Sequence, residues 1–296
     1  MRTATSGESK GGKKLEQARN NLNTKERILA GSAQVPIFLT AGLALLVSGL
    51  VSGLVSGLGP APALGQRGAI DHAREYRDCM VLARVAPEDG FESALAWAAM
   101  GGGEGAKHCA AVALIGLGHY AEAARRLERL AAAMRTGEVD LRSSVLAQAG
   151  QAWLLAEDTG RAYAVQSAAL AIDRDNVELL LDRGITLATA KNYWEAVDDL
   201  NRALDLAPGR PDLLILRASA YRYLDALELA RDDIDRALAR APDNPDGLLE
   251  RGILRRLAGD EAGARDDWLR AIELVEGTPT ADSARANLEK LDVKVE

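Results

Sequence analysis

Residues 177–210 read VELLLDRGITLATAKNYWEAVDDLNRALDLAPGR, and residues 211–244 read PDLLILRASAYRYLDALELARDDIDRALARAPDN. The second stretch repeats the chemistry of the first in register and without a gap. Stepping 34 residues in either direction adds 143–176 and 245–278, so four units start at Ser143, Val177, Pro211 and Pro245. The eighth residue of each is small: Gly150, Gly184, Ala218 and Gly252. The twentieth is always Ala (Ala162, Ala196, Ala230, Ala264), and so is the twenty-seventh (Ala169, Ala203, Ala237, Ala271). A fixed period of this length is the mark of a stacked repeat and is to be read before any single motif.

Within each unit, apolar residues recur at i, i+3, i+4 and i+7 in two stretches, which predicts two amphipathic helices. In the second unit these are 178–189 and 194–206. Small residues at fixed places let the two axes approach closely. Pro208 and Pro242 cannot continue a helix and so divide one unit from the next. A single helix pair cannot bury its own apolar face, whereas stacked pairs can. The pattern resembles the tetratricopeptide repeat (TPR) family. The bulky residues that family wants are present: Leu146, Leu180, Leu214 and Leu248 at position 4, Trp153, Leu187 and Tyr221 at 11, and Leu200, Ile234 and Trp268 at 24. The departures are Gln166 at 24, Arg255 at 11, and Arg174 and Glu276 where Pro is usual at 32. The resemblance implies an all-α, TPR-type α-solenoid.

Working outward, 66–142 reads as irregular helical sequence of the same kind. Gly118-His119-Tyr120-Ala121-Glu122-Ala123-Ala124 resembles the TPR inter-helix turn. Ile70–Arg84 and Phe91–Met100 make a further expected pair, separated by Pro87 and closed by Gly101-Gly102-Gly103. The expectation is about six antiparallel helix pairs, two irregular and four regular. Residues 279–296 add a capping helix, with Thr280 as its N-cap, and a tail.

Residues 1–65 have another character. The chain's formal charge is −7, but residues 1–27 carry seven Lys/Arg against three Glu, and 28–66 carry no charge, so the body from 67 onward carries −11. An acidic body repels nucleic-acid phosphate, so no nucleic-acid partner is expected, while a partner with a basic surface would be steered toward it. Residues 35–58 read VPIFLTAGLALLVSGLVSGLVSGL, an apolar run after a basic leader and before Ala61-Pro62-Ala63. That is the order of a secretory signal peptide. The run is also long enough to span a bilayer. Two readings therefore stand, a cleaved signal and a retained inner-membrane anchor. In the second, Gly49, Gly53 and Gly57 make a small-residue packing face for an oligomer. Both place the body outside the cytoplasm.

All three His and both Cys fall between 72 and 119. A disulfide between Cys79 and Cys109 suits an even count in an oxidising compartment. The alternative is a metal- or redox-linked site of Cys79, Cys109, His108 and His119, but no C-x-x-C, H-x-x-x-H or H-E-x-x-H spacing supports it. Arg183, Arg217 and Arg251 recur at position 7, and Asp199, Asp233 and Asp267 at 23, which reads as pairing between packed helices rather than as a ligand ladder. No nucleophile elbow, phosphate loop or dinucleotide fingerprint is present, so neither an enzyme nor a cofactor is expected.

The TPR resemblance implies that a peptide or protein partner lies in a concave groove formed by the first helices. On this sequence the strip is Leu181, Asp182, Ile185, Ile215, Ser219, Tyr223, Leu249 and Ile253. It is more apolar than charged, and it lacks the Lys/Asn set with which some members clamp a C-terminal carboxylate. The expected function is a non-catalytic interaction scaffold of the bacterial cell envelope.

Overall fold

The computed structural model describes residues 70–134 and 139–292. They form thirteen α-helices, with no strand among the described residues. In chain order these are α1 (His72–Val85), α2 (Pro87–Ala99), α3 (Gly103–Gly116), α4 (Tyr120–Ala133), α5 (Val139–Leu155), α6 (Thr159–Ile172), α7 (Val177–Thr189), α8 (Tyr193–Leu206), α9 (Pro211–Tyr223), α10 (Leu227–Arg240), α11 (Pro245–Leu257), α12 (Glu261–Leu274) and α13 (Pro279–Asp292). Each packs on the next, giving six pairs and a final single helix. The leader and the apolar run 35–58 lie outside the described residues. Among those described, no helix is long and apolar enough to cross a membrane.

Side chains at the helix starts fix where each element begins. Asn176 Oδ1 accepts from the backbone N–H of Glu178 and Leu179 at 3.0 and 3.1 Å, and Asn244 does the same for α11. Asp71, Asp158 and Asp260 cap α1, α6 and α12. These caps satisfy donors that the helix itself leaves orphaned. Pro87, Pro211 and Pro245 open their helices, where a missing N–H and a fixed φ do no harm. Pro87 thus begins α2 as well as ending the link from α1. The cap of the last helix differs from expectation. Thr278, not Thr280, takes the capping place, its Oγ1 accepting from Ala281 N–H at 3.3 Å. Thr280 lies inside α13, buried, and donates to Asp246 Oδ1 at 2.6 Å.

The turn inside each regular unit closes on a left-handed residue. Glu157, Lys191 and Asp225 have φ of 60°, 63° and 58°, and Gly259 follows in the last unit at 84°. The next N–H reaches back over the helix end: Asn192 N–H to Leu187 O at 2.8 Å, and Ala226 N–H to Tyr221 O at 2.9 Å. This is a Schellman closure, and only the last unit fills it with the residue that takes φ > 0 freely.

Between the helices of a unit, position 8 faces position 24. A Cβ added at Gly184 would lie 3.2 Å from Leu200 Cγ, and one added at Gly252 only 2.7 Å from Trp268 Cδ1. Trp268 is fully buried against that bare backbone, and its Nε1–H donates to Leu249 O at 3.1 Å. The first unit sets Gly150 against Gln166, which is also fully buried. The alanines at positions 20 and 27 are all completely buried.

The recurrent Arg–Asp set binds pairs together. Arg183 makes two parallel hydrogen bonds to Asp199, each 2.7 Å, and Arg217 repeats them on Asp233. Arg251 does the same to Asp267 at 2.9 and 2.6 Å. The third donor of the fork reaches back to the preceding unit, from Arg183 to Ser167 Oγ at 3.0 Å and from Arg217 to Asn201 Oδ1 at 2.7 Å. Arg183 and Arg217 therefore each tie together their own helix, the partner helix and the second helix of the unit before it. The aspartates are nearly inaccessible, so such pairs fix register while a lone member would be costly to bury.

Candidate functional site

The first helices of neighbouring pairs touch one another: α1 with α3, α5 with α7, α7 with α9, α9 with α11, and α11 with α13. Among the described residues, no comparable contact joins the second helices of neighbouring pairs. A stack held closer along one row bends toward it, so the first helices form the inner, concave face.

The expected strip sits on that row. Leu181, Asp182, Ile185, Ile215, Ser219, Tyr223 and Ile253 are all half-buried, open enough to be touched and packed enough to be held. Ile215 rests on both main apolar cores. Leu249 is a correction. It is 8 % exposed and belongs to the core around Trp268, so it backs the groove instead of lining it. The Trp268 indole Nε1–H donates to the Leu249 carbonyl at the same level.

Polar rungs cross this apolar strip from one first helix to the next. At the N-terminal end, Tyr76 Oη and His108 Nδ1 are 2.7 Å apart, and His108 Nε2 lies 2.9 Å from Gln148 Oε1. Burial, with help from the Arg84 charge, lowers the His108 pKa against the pull of the Gln148 hydrogen bond, and so favours the neutral ring. The next rung is Gln151 Nε2–H to Asp182 Oδ2 at 2.9 Å. Burial raises Asp182 to about 6, with the Gln151 bond opposing and the Glu178 charge assisting. Further along, Arg222 donates to both oxygens of Glu250, one of them at 3.3 Å. The last rung is Thr280 to Asp246. Arg222 also lies 4.3 Å over the Tyr223 ring, and Tyr223 stacks on Tyr193 with ring centres 4.6 Å apart. The face thus alternates apolar patches with hydrogen-bonded rungs.

Sequence reasoning missed Gln148, Gln151 and Glu250. The signal was available, since position 6 of the regular units reads Gln148, Asp182, Leu216 and Glu250, polar in three of four on an otherwise apolar row. A cavity of about 460 Å³ opens between α5 and α7, walled by Ser144, Gln148, Gln151, Glu178 and Asp182 among others.

Cys79 and Cys109 are joined by a disulfide, with Cα atoms 6.1 Å apart, and tie α1 to α3. The alternative metal set is not assembled. Both sulfurs are bonded to each other, and both His108 nitrogens are engaged. His119 stands just before α4, beyond the far end of α3, roughly 16 Å along the helix direction from His108. His72 Nδ1 accepts from Trp97 Nε1–H at 3.2 Å. No metal-binding cluster of His, Cys, Asp and Glu occurs among the described residues.

No protein-family profile matches the chain, and no curated protein does either. Solved structures do. A tetratricopeptide repeat protein from Parabacteroides merdae is 15% identical, with 74% of this chain and 86% of that one covered and a TM-score of 0.57. The C-terminal part of a TPR repeat-containing protein from Cytophaga hutchinsonii is 15% identical over 73% of this chain and 95% of that one, with a TM-score of 0.54. MamA residues 41 to the end, from Desulfovibrio magneticus, align at 21% identity over 69% and 95%, with a TM-score of 0.47. The fold is an all-α solenoid of the TPR type.

Proposed function

We propose that this chain is a non-catalytic interaction scaffold whose concave face holds an apolar or amphipathic segment of a partner protein. The observation that carries the reading is the inner strip of Leu181, Ile185, Ile215 and Ile253, half-exposed on successive first helices and framed by polar rungs. Apolar residues at that spacing match a helix laid in a groove or an extended segment with alternate anchors. Preformed backbone makes such a surface efficient, because little order has to be gained on binding.

Charge substitutions test it. Ile185→Glu and Ile253→Glu, made together in a chain whose helical signal and melting temperature are retained, are expected to abolish capture of partners by crosslinking in the native envelope. An unchanged set of captured proteins would remove the strip from consideration.

We further propose that the body is exported. Support comes from the basic leader, the uncharged run 35–58 and the acidic body that follows. A disulfide between the chain's two cysteines is consistent with an oxidising compartment. The intact mass of the protein recovered from cells separates the two forms of this reading. A new N-terminus near Leu64 or Gln66 means a cleaved signal, and the full mass in the membrane fraction means a tether. The full-length chain recovered from the cytosol would refute both.

A further inference from the structure

The cavity between α5 and α7 has a composition the scaffold itself does not need. Its wall carries four carboxylates, Asp140, Asp173, Glu178 and Asp182, and no Lys or Arg. Glu178 is matched by Arg210, and Asp173 accepts from Asn176 Nδ2–H at 2.8 Å. Asp182 has no such neutraliser. It is half-buried, its Oδ2 takes the uncharged Gln151 amide, and no cationic group stands within ion-pair distance of it among the described residues.

The other repeats show how this chain treats a carboxylate in that place. Glu250 occupies the same position in its unit, and Arg222 of the preceding first helix holds both its oxygens. Asp199, Asp233 and Asp267 each hold a guanidinium. In the unit before Asp182, the counterpart of Arg222 is Leu154. The positive charge supplied from within at the later rung is missing at this one, and an open volume adjoins it.

We propose that this cavity receives the cationic side chain, Lys or Arg, of the bound partner, ion-paired to Asp182, while neighbouring apolar residues of that partner follow the inner strip. This names the partner's chemistry for the groove reading above and rests on it. The volume of about 460 Å³ takes a four-carbon ammonium or three-carbon guanidinium stem with space for solvent. The Ser144 hydroxyl and the Gln151 amide on the same wall offer acceptors to the remaining N–H donors of such a group. Burial already resists ionisation of Asp182, and an incoming cation reverses that resistance. The net acidity of the body favours the approach of a basic segment.

Two measurements test this. In the first, carbon NMR follows the Asp182 carboxyl through its titration in n-butylguanidinium chloride and in sodium chloride of equal ionic strength. The Asp182 midpoint is expected to fall by at least about half a pH unit in the organic cation. Asp246, covered by Thr280 and outside the cavity, serves as the reference and is expected not to respond. Equal movement of both, or none, would overturn the site. In the second, fluorescence anisotropy compares a labelled peptide, acetyl-Leu-Ile-Ala-Lys-Ala-Leu-Ile-amide, with its norleucine analogue. The lysine peptide is expected to bind roughly tenfold tighter, and Asp182→Asn, which keeps the volume and the Gln151 contact, is expected to erase that difference. Equal binding of both peptides to the native protein would overturn the inference and leave the groove standing. Binding of neither would overturn the groove reading, and the titration then decides the cation site alone.

Discussion

Gln166→Leu is expected to stabilise this protein. Gln166 is fully buried at position 24 of the first regular unit, and neither Nε2 nor Oε1 has a hydrogen-bond partner among the described residues. An unsatisfied buried polar group costs about 1–3 kcal/mol. The chain contains its own template for the replacement. In the next unit Leu200 stands at the same position, opposite Gly184 as Gln166 is opposite Gly150, and is itself completely buried. Leucine thus fits the site without forcing a new rotamer into the core. The two orphan atoms are removed together, and the replacement adds apolar contact, so the net gain is put at about 1–3 kcal/mol. For a domain of this size that corresponds to roughly 2–4 °C of melting temperature per kcal/mol. Urea titration followed by the helical signal provides the assay, with the midpoint rising and the slope unchanged. Gln166→Glu, which buries a charge instead, is expected to move the midpoint the other way. A Leu variant with an unchanged or lower midpoint at constant slope would refute the reasoning and show that the amide is satisfied in solution.

Arg183→Leu should lose about 3–5 kcal/mol, because it strands Asp199, whose side chain is only 6 % exposed. Replacing both residues by apolar ones should restore most of the loss, and a double-mutant cycle in urea checks the pair. Asp182 supplies a pH dependence. Its folded pKa of about 6 lies above the ordinary aspartate value of 3.8, so the folded state binds the proton more tightly. Its contribution to stability is fully present below about pH 4 and is lost as pH rises through 6. Asp182→Asn should therefore exceed the native protein by about 3 kcal/mol above pH 7, with the gap closing toward pH 4 in paired denaturation series. Gly252→Ala drives a methyl into the Trp268 indole and should lose about 1–3 kcal/mol, while Gly184→Ala, facing the more yielding Leu200, should stay within about 1 kcal/mol of neutral by the same melts.

The period, the helix pairs and the position of the small residues could be read directly, because a solenoid buries each residue against its near neighbours and so writes its contacts into local spacing. Gly184 and Leu200 are sixteen residues apart, and the same spacing brings together Gly150 with Gln166 and Gly252 with Trp268. The inter-helix closures were less legible. Glu157, Lys191 and Asp225 adopt positive φ because the Schellman bonds around them outweigh the strain, and nothing in their side chains announces it. The rungs were hidden for a different reason. Gln151–Asp182 and Arg222–Glu250 join helices of different units, so they depend on how tightly the stack curves. Leu249 follows the periodic rule for the strip, yet it is buried in the core that holds Trp268, a neighbour the rule does not weigh. Thr280 has the side chain of a cap, but Pro279 before it already starts the helix.

The bond between Cys79 and Cys109 also changes what the molecule does when it is pulled. Tension entering at the N-terminal side of α1 crosses directly to α3 through the sulfurs, and the residues between them, including all of α2, are left out of the path. With a separation of 30 residues, roughly 100 Å of contour length is withheld from the stretched chain while the bond is intact. The stretch between Cys79 and Cys109 is then a shielded loop and not a link in series, and whether it adds to the protein's reach under force is set by the oxidation state of two atoms.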